Sequence, residues 1–203
     1  MAKARRRRSA KLPLASDSEL RIIGGQFRGS KLRYSGRFET RPMKERIREA
    51  IFNLVGPSVQ GTHAIDLFAG TGALGLEAIS RGAQSATLIE RHVPTGKVIR
   101  GNAAHLGIED RTDVVAANTF IWIRQQPELP ALPWCVFCSP PYSFYQEHRD
   151  ELLTLIERLL AQAPAESMFV VEADQHFDFA LLPRAEQWTV RAYAPAVVGI
   201  LRV

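Results

Sequence analysis

The sequence predicts an α/β fold: a mostly parallel sheet with helices on both faces and an antiparallel hairpin at its C-terminal end. Three observations predict it. From His63 onward short apolar runs alternate with helical stretches, the pattern of a parallel sheet covered on both sides. Gly70, Gly72 and Gly75 stand in G-x-G-x-x-G spacing between the first apolar run and the helical stretch after it. The last two apolar runs, 188–193 and 197–203, are joined by Ala194-Pro195-Ala196, a turn short enough for a hairpin.

The 203 residues, 46% apolar and 23% charged, suit one domain with a sizeable core. No apolar run approaches the roughly 20 residues needed to span a bilayer. The leading MAKARRRRSAK also lacks the apolar stretch of a secretory signal, so a cytoplasmic location without a membrane partner is expected. Cys135 and Cys138, the 2 cysteines, fall an odd number of residues apart in one strand and should point to opposite faces. With no second pair and no histidine at ligand spacing, buried thiols are expected and no metal.

The charge is unevenly distributed. Residues 1–48 carry 15 Lys and Arg against 4 Asp and Glu, a balance of +11 within a total of +5, so the remainder is acidic. A basic leading segment suits a polyanion, because Lys and Arg gain affinity by releasing counterions from phosphates. The alternative is a solvated tail; a transit peptide fits less well, because serine is scarce and no amphipathic pattern appears.

In chain order, residues 1–20 read as a basic disordered arm. Residues 21–34, RIIGGQFRGSKLRY, read as a β-hairpin with glycine turns and a surface made basic by Arg21, Arg28, Lys31 and Arg33. From Pro42, the spacing of Met43, Ile47, Ala50, Ile51 and Leu54 predicts a helix stopped by Gly56-Pro57, with Lys44 and Arg48 on another face. Residues 21–56 thus form a basic N-terminal extension suited to a polyanion, and residues 57–203 the main domain. In that domain the expected order is strand HAIDLF, helix ALGLEAISRG, strand ATLIE, a helix over 95–106, strand TDVVAAN and strand WCVFC. A helix over 145–162, strand MFVVE and the final hairpin complete it.

Ligands of an open parallel sheet lie beyond the carboxyl ends of its strands. The first such end is DLFAGTGALG. Its glycines alone would serve a dinucleotide equally well, but Asp66 would repel a pyrophosphate and would suit an amino group. Phe68, Gly70, Thr71 and Gly72 share that turn. The second end carries Glu90, 24 residues after Asp66, where a carboxylate can accept both hydroxyls of a ribose. A ligand with an amine at one end and a ribose in the middle is S-adenosyl-L-methionine. Asn118, at the third strand end, offers an amide donor and acceptor to an adenine edge.

The fourth end is Ser139-Pro140-Pro141-Tyr142. Two prolines remove two backbone donors and fix φ twice, leaving a stiff extended corner that is either a strand terminator or a shaped site. As a site, Ser139 Oγ and the Pro140 carbonyl would hold a planar amine and Tyr142 would stack on its base. Positioning would carry most of the catalysis, with no strong base required.

Together, DLFAGTGALG and SPPY resemble the signature of class I methyltransferases that alkylate exocyclic base nitrogens. RIIGGQFRGSKL, TRPMKERIREAIFN and EAISRGA are similar to the RsmD-type small-subunit ribosomal RNA guanine-N2 methyltransferases, and the resemblance runs from residue 21 to the C-terminus. It implies a Rossmann-like seven-stranded sheet, S-adenosyl-L-methionine as cofactor, and ribosomal RNA or the small-subunit ribonucleoprotein as partner; the sequence does not establish the oligomeric state, for which a monomer is the working expectation. It also implies that Arg41, Lys44 and Arg46 lie near RNA or the cofactor entrance. This sequence departs from the family in having Ser139 where Asp is usual, Met43 where Thr is usual, and Pro94 and Gly96 at the start of the helix after Glu90. Ser139 resembles the cytosine-N4 DNA methyltransferases, yet only 63 residues separate Gly75 from Ser139 and 61 follow Tyr142, too few for a DNA-recognition domain. A third reading is an RNA-binding relative that has lost catalysis.

Overall fold

The computed structural model describes residues 20–34 and 43–203. The expected basic arm, Leu20 apart, and Arg41 and Pro42 lie outside the described residues.

Thirteen helices and strands build the described core. They run α1 (Glu45–Val55), β1 (His63–Asp66), α2 (Ala73–Ser80), β2 (Ser85–Ile89), α3 (Val93–Leu106), β3 (Thr112–Val115), α4 (Thr119–Arg124) and β4 (Trp134–Cys138). There follow α5 (Phe144–Glu147), α6 (Arg149–Gln162), β5 (Met168–Asp174), β6 (Thr189–Tyr193) and β7 (Ala196–Arg202). The seven strands form one sheet in the order β3-β2-β1-β4-β5-β7-β6. The first five are parallel, while β7 runs antiparallel between β5 and β6. This is the expected fold.

Alternation along the central strands feeds two cores. Cys135 and Phe137 join the core shared with α1, α2 and α3, whereas Trp134, Val136 and Cys138 join the core shared with α4, α5 and α6. The two cysteines therefore face opposite sides of the sheet, as their spacing requires. Gly75 is needed for the first of these packings: a Cβ there would stand 2.8 Å from Leu88 of β2. At Gly72 the backbone is left-handed, φ 77°, at the N-cap of α2, which a side chain would strain.

Several elements differ from expectation. The N-terminal hairpin shrinks to one antiparallel bridge, Arg21 with Lys31, because its glycine turn docks on α2 instead of extending a ladder. The third parallel strand stops at Val115, and Asn118 starts α4, a helix not anticipated from TFIWIR. The helix expected over 145–162 breaks at His148 into α5 and α6. The helix after Glu90 begins at Val93, because the His92 ring accepts from the Thr95 N–H and supplies the cap that Pro94 and Gly96 do not.

Arg48, on a face of α1 apart from its apolar stripe, is only 1% exposed. The reason is Glu77 of α2, itself fully buried, which draws it in. Glu77 accepts the N–H groups of Ile23 and Gly24 at 2.8 and 2.7 Å and the Arg81 Nε at 2.8 Å, with Arg48 Nε at 3.7 Å. Arg48 in turn donates to the Arg21 carbonyl at 2.5 Å. One carboxylate thus ties the N-terminal segment, α1 and α2 together. Removing it would strand two cations and two backbone donors inside the protein. Glu77→Ala is expected to lower the unfolding free energy by about 3–5 kcal/mol, measured as a lower urea midpoint. A loss below about 1 kcal/mol would show that the cluster is replaceable.

Candidate active site

The winding of the sheet reverses between β1 and β4, which are neighbours although two strands, β2 and β3, separate them in sequence. Above their C-terminal ends lies a cavity of about 530 Å³. The connections after β1, β2, β3 and β4 all reach it, as the end of each strand in a doubly wound sheet requires.

From the turn after β1, Phe68 and Gly70 reach the cavity wall, while Asp66, Thr71 and Gly72 are buried and do not line it. Asp66 lies beneath the turn. Its Oδ2 accepts the Gly75 N–H at 3.2 Å, while its Oδ1 is buried without a hydrogen-bond partner. Burial, reinforced by the nearby Glu90 charge and opposed by the backbone donors of Gly75 and Phe68, raises its pKa from 3.8 to about 7. With one oxygen unmatched in a buried place, this carboxyl is held toward its neutral form beneath the turn that walls the cavity.

Glu90, just past β2, lines the cavity and braces it. Its Oε2 accepts the Gly70 N–H at 2.9 Å and its Oε1 the His92 N–H at 2.7 Å. Each oxygen keeps a lone pair for a hydroxyl. Asn118 also lines the cavity, but its Oδ1 caps α4, accepting from Phe120 and Ile121 at 2.9 and 3.3 Å. The expected donor and acceptor pair is thereby reduced: the carbonyl is committed to the helix and the NH₂ remains to donate. Phe120, the next aromatic, forms part of the same wall and packs against Phe68 and Phe144 with ring centroids 6.0 and 6.3 Å away.

Ser139, Pro140, Pro141 and Tyr142 all face the cavity. The two hydroxyls of this corner share a partner that the sequence reading missed. Ser139 Oγ donates to Glu172 Oε2 at 2.6 Å, and Tyr142 Oη donates to Glu172 Oε1 at 2.5 Å. Glu172, in β5, is 5% exposed and lines the cavity, and the Tyr145 hydroxyl fixes its main-chain carbonyl at 2.8 Å. Burial raises the Glu172 pKa, with Asp174 adding to the effect and the two hydroxyls opposing it. The signal was present: Glu172 follows the apolar run MFVV, at the C-terminal side where the ligand rule places site residues.

The cationic residues expected to meet RNA are scattered. Lys44 and Met43 line the mouth of the cavity together with Pro195 and Ala196 from the β6–β7 turn. Arg46 reaches that turn and donates to the carbonyls of Tyr193 and Ala194 at 3.2 and 2.7 Å, holding the hairpin over α1. Arg21 pairs with Glu45 at 3.1 Å. Arg28 and Lys31 sit on the N-terminal segment, and Arg41 lies outside the described residues. Among the described residues no cluster of metal-ligating side chains occurs and no helix is long and apolar enough to cross a membrane.

A family model described as Conserved hypothetical protein 95 matches residues 20–196. The chain is 36% identical over 143 residues to Ribosomal RNA small subunit methyltransferase D of Escherichia coli K12, covering 70% of this chain and 69% of that protein. Its structure is similar to that of yhhF from Escherichia coli, with a TM-score of 0.73, 30% identity, and coverage of 90% of this chain and 97% of the other. An RNA methyltransferase from Salinibacter ruber in complex with S-adenosyl-L-homocysteine shares the fold, with a TM-score of 0.58 at 17% identity over 79% of this chain and 92% of the other.

The raised Asp66 pKa makes the stability of the ligand-free protein depend on pH. Folded and unfolded chains bind this proton equally below the unfolded value of 3.8; between there and about 7 only the folded chain keeps it. The stabilising contribution is complete below pH 3.8 and is lost as pH rises through 7. Asp66→Asn is therefore expected to match the parent in urea unfolding near pH 4 and to exceed it above pH 7. A constant difference across that range would contradict the raised pKa.

Proposed function

Because the chain belongs to the family described as Conserved hypothetical protein 95, the RsmD family, we propose that it methylates the exocyclic N2 amine of a guanine in small-subunit ribosomal RNA, using S-adenosyl-L-methionine. The observation that carries this reading is the convergence on one cavity of Glu90, Asn118 and the Ser139–Tyr142 corner. The relatives' names support the ribosomal substrate.

When bound, the cofactor supplies a methyl group made electrophilic by an adjacent sulfonium. The chain's residues divide the remaining tasks. Glu90 holds the ribose hydroxyls on the oxygen lone pairs that Gly70 and His92 leave open. The Asn118 NH₂ donates to the adenine, and Phe68 and Phe120 give it an apolar wall. Asp66, one layer behind, favours the amino end of the ligand through its unmatched oxygen. The proline corner receives the base: Ser139 Oγ and the Pro140 carbonyl accept its amine hydrogens, which fixes the nitrogen lone pair, and the Tyr142 ring covers its face. Alignment of this kind supplies roughly 7–11 kcal/mol of a barrier.

The substrate enters past Lys44, under the β6–β7 turn. The basic arm of residues 1–20 and the extension over 21–56, with Arg21, Arg28, Lys31, Arg41 and Arg46, would meet RNA phosphates around that mouth. In this reading the enzyme works as a monomer in the cytoplasm, and the target base is unstacked or already exposed.

Labelled methyl transfer to small ribosomal subunits lacking the modification is expected to yield N2-methylguanine. N4-methylcytosine in DNA, or RNA binding without transfer, would overturn the assignment. Within the site, Glu90→Ala is expected to weaken binding of S-adenosyl-L-homocysteine roughly 10- to 100-fold. Ser139→Ala should leave that affinity nearly unchanged and reduce the transfer rate. Equal affinity losses in calorimetric titrations would contradict the division of roles.

A further inference from the structure

Both hydroxyls of the Ser139–Tyr142 corner point to one carboxylate, that of Glu172. Each hydroxyl has a single proton, and both protons are committed to Glu172. Ser139 Oγ therefore has only lone pairs left for anything in the cavity, and can meet a substrate only as an acceptor. An amine satisfies that demand and a carbonyl does not. Glu172 lines the same cavity, one hydrogen bond behind Ser139, at 2.6 Å.

The nearby groups leave it a suitable place for a proton. Its strand contributes Asp174, whose negative charge disfavours ionisation of Glu172. Tyr142 and Ser139 donate to it from the proline corner, Cys138 approaches from β4, and Tyr145 of α5 binds its main-chain carbonyl. β7 pairs Val198 with it and brings no charge. Lys44, Glu90, Arg91 and His92 also line the cavity.

Resting on the methyltransferase reading above, we propose that Ser139 and Glu172 form a proton relay, with Ser139 accepting an N–H of the target amine and Glu172 receiving the released proton through it. The nitrogen lone pair forms the new N–CH₃ bond as the S–CH₃ bond of the donor breaks, and that electron pair stays on sulfur as a thioether. The nitrogen, positively charged at that moment, gives one proton to Ser139 Oγ while the Ser139 proton passes to Glu172, which becomes a neutral carboxylic acid. The acid later releases its proton to water. Glu172 is thus a positioning residue for Ser139 and the terminal acceptor of the relay, and the pair selects substrates that present N–H donors.

Three variants of the full chain, E172Q, S139D and S139D/E172Q, test the relay against labelled transfer to unmodified small subunits. Binding of S-adenosyl-L-homocysteine checks that each variant folds and keeps its cofactor site. E172Q is expected to lower kcat about 100-fold with little change in KM or in that binding. It should also abolish the fall in kcat that the unaltered chain shows as pH drops through the Glu172 pKa, which burial places above the ordinary carboxylate range. S139D/E172Q puts a carboxylate directly against the amine and should recover at least about tenfold over E172Q, whereas S139D alone sets two carboxylates side by side and should gain nothing. The relay is overturned if E172Q retains kcat within about threefold, if its loss lies in KM or cofactor binding, or if the double variant is no better than E172Q. If the unaltered chain transfers no methyl group, the methyltransferase reading fails and this proposal fails with it.

Discussion

Between β1 and β4 the sheet must wind one way to reach β2 and β3 and the other way to reach β5, β7 and β6. The connections above the strand ends diverge at that point and cannot cover it, so a crevice opens there for reasons of topology alone. Every feature of the site follows from this gap. The turn after β1 forms one lip, the proline corner after β4 forms the other, and Glu90 and Glu172 stand beyond them on β2 and β5. The cavity has acids on both sides because each flanking strand contributes its end to the same opening.

The protein holds these acids in different surroundings. Glu90 is braced by the backbone N–H groups of Gly70 and His92. Asp66 accepts from the Gly75 N–H, with the Phe68 backbone donor also nearby and one oxygen unmatched in a buried place, and its pKa rises to about 7. Glu172 receives two hydroxyls, which offset part of its desolvation. A braced acid suits hydroxyl recognition, and a partly compensated one suits proton exchange. Glu77, which resembles them in sequence only as an acid inside a helix, holds two arginines and two N–H groups and is structural.

Much of this was legible in the sequence because strand ends are marked by residue types with one simple job. Asp66, Glu90, Asn118 and Ser139 each follow an apolar run, and the parallel-sheet rule gathers them without further information. Glu172 obeys the same rule, yet it was passed over because its partners, Ser139 and Tyr142, lie 33 and 30 residues away. Reading it required knowing that β5 lies beside β4. The burial of Arg48 is hidden from the sequence for a similar reason. Helical spacing places it off the apolar face of α1, and only the packing of α2 supplies the buried Glu77 that draws it inward. The break at His148 falls within a stretch whose local pattern favours one helix, and the short α4 forms in TFIWIR, a strand-like run, because the Asn118 side chain caps it. The resemblance implies Arg46 near RNA or the cofactor entrance; what the sequence does not show is that its hydrogen bonds hold the β6–β7 turn, whose Pro195 lines the cavity.

The account stands on a cationic adenosyl ligand lying across this switch point. A crystal structure of the protein with S-adenosyl-L-homocysteine tests it most directly. The expected density has the ribose against Glu90, the adenine beside Asn118 and Phe120, and the sulfur turned toward Ser139 and Pro140. A crevice left empty at saturating ligand, or density bound elsewhere on the chain, would contradict it.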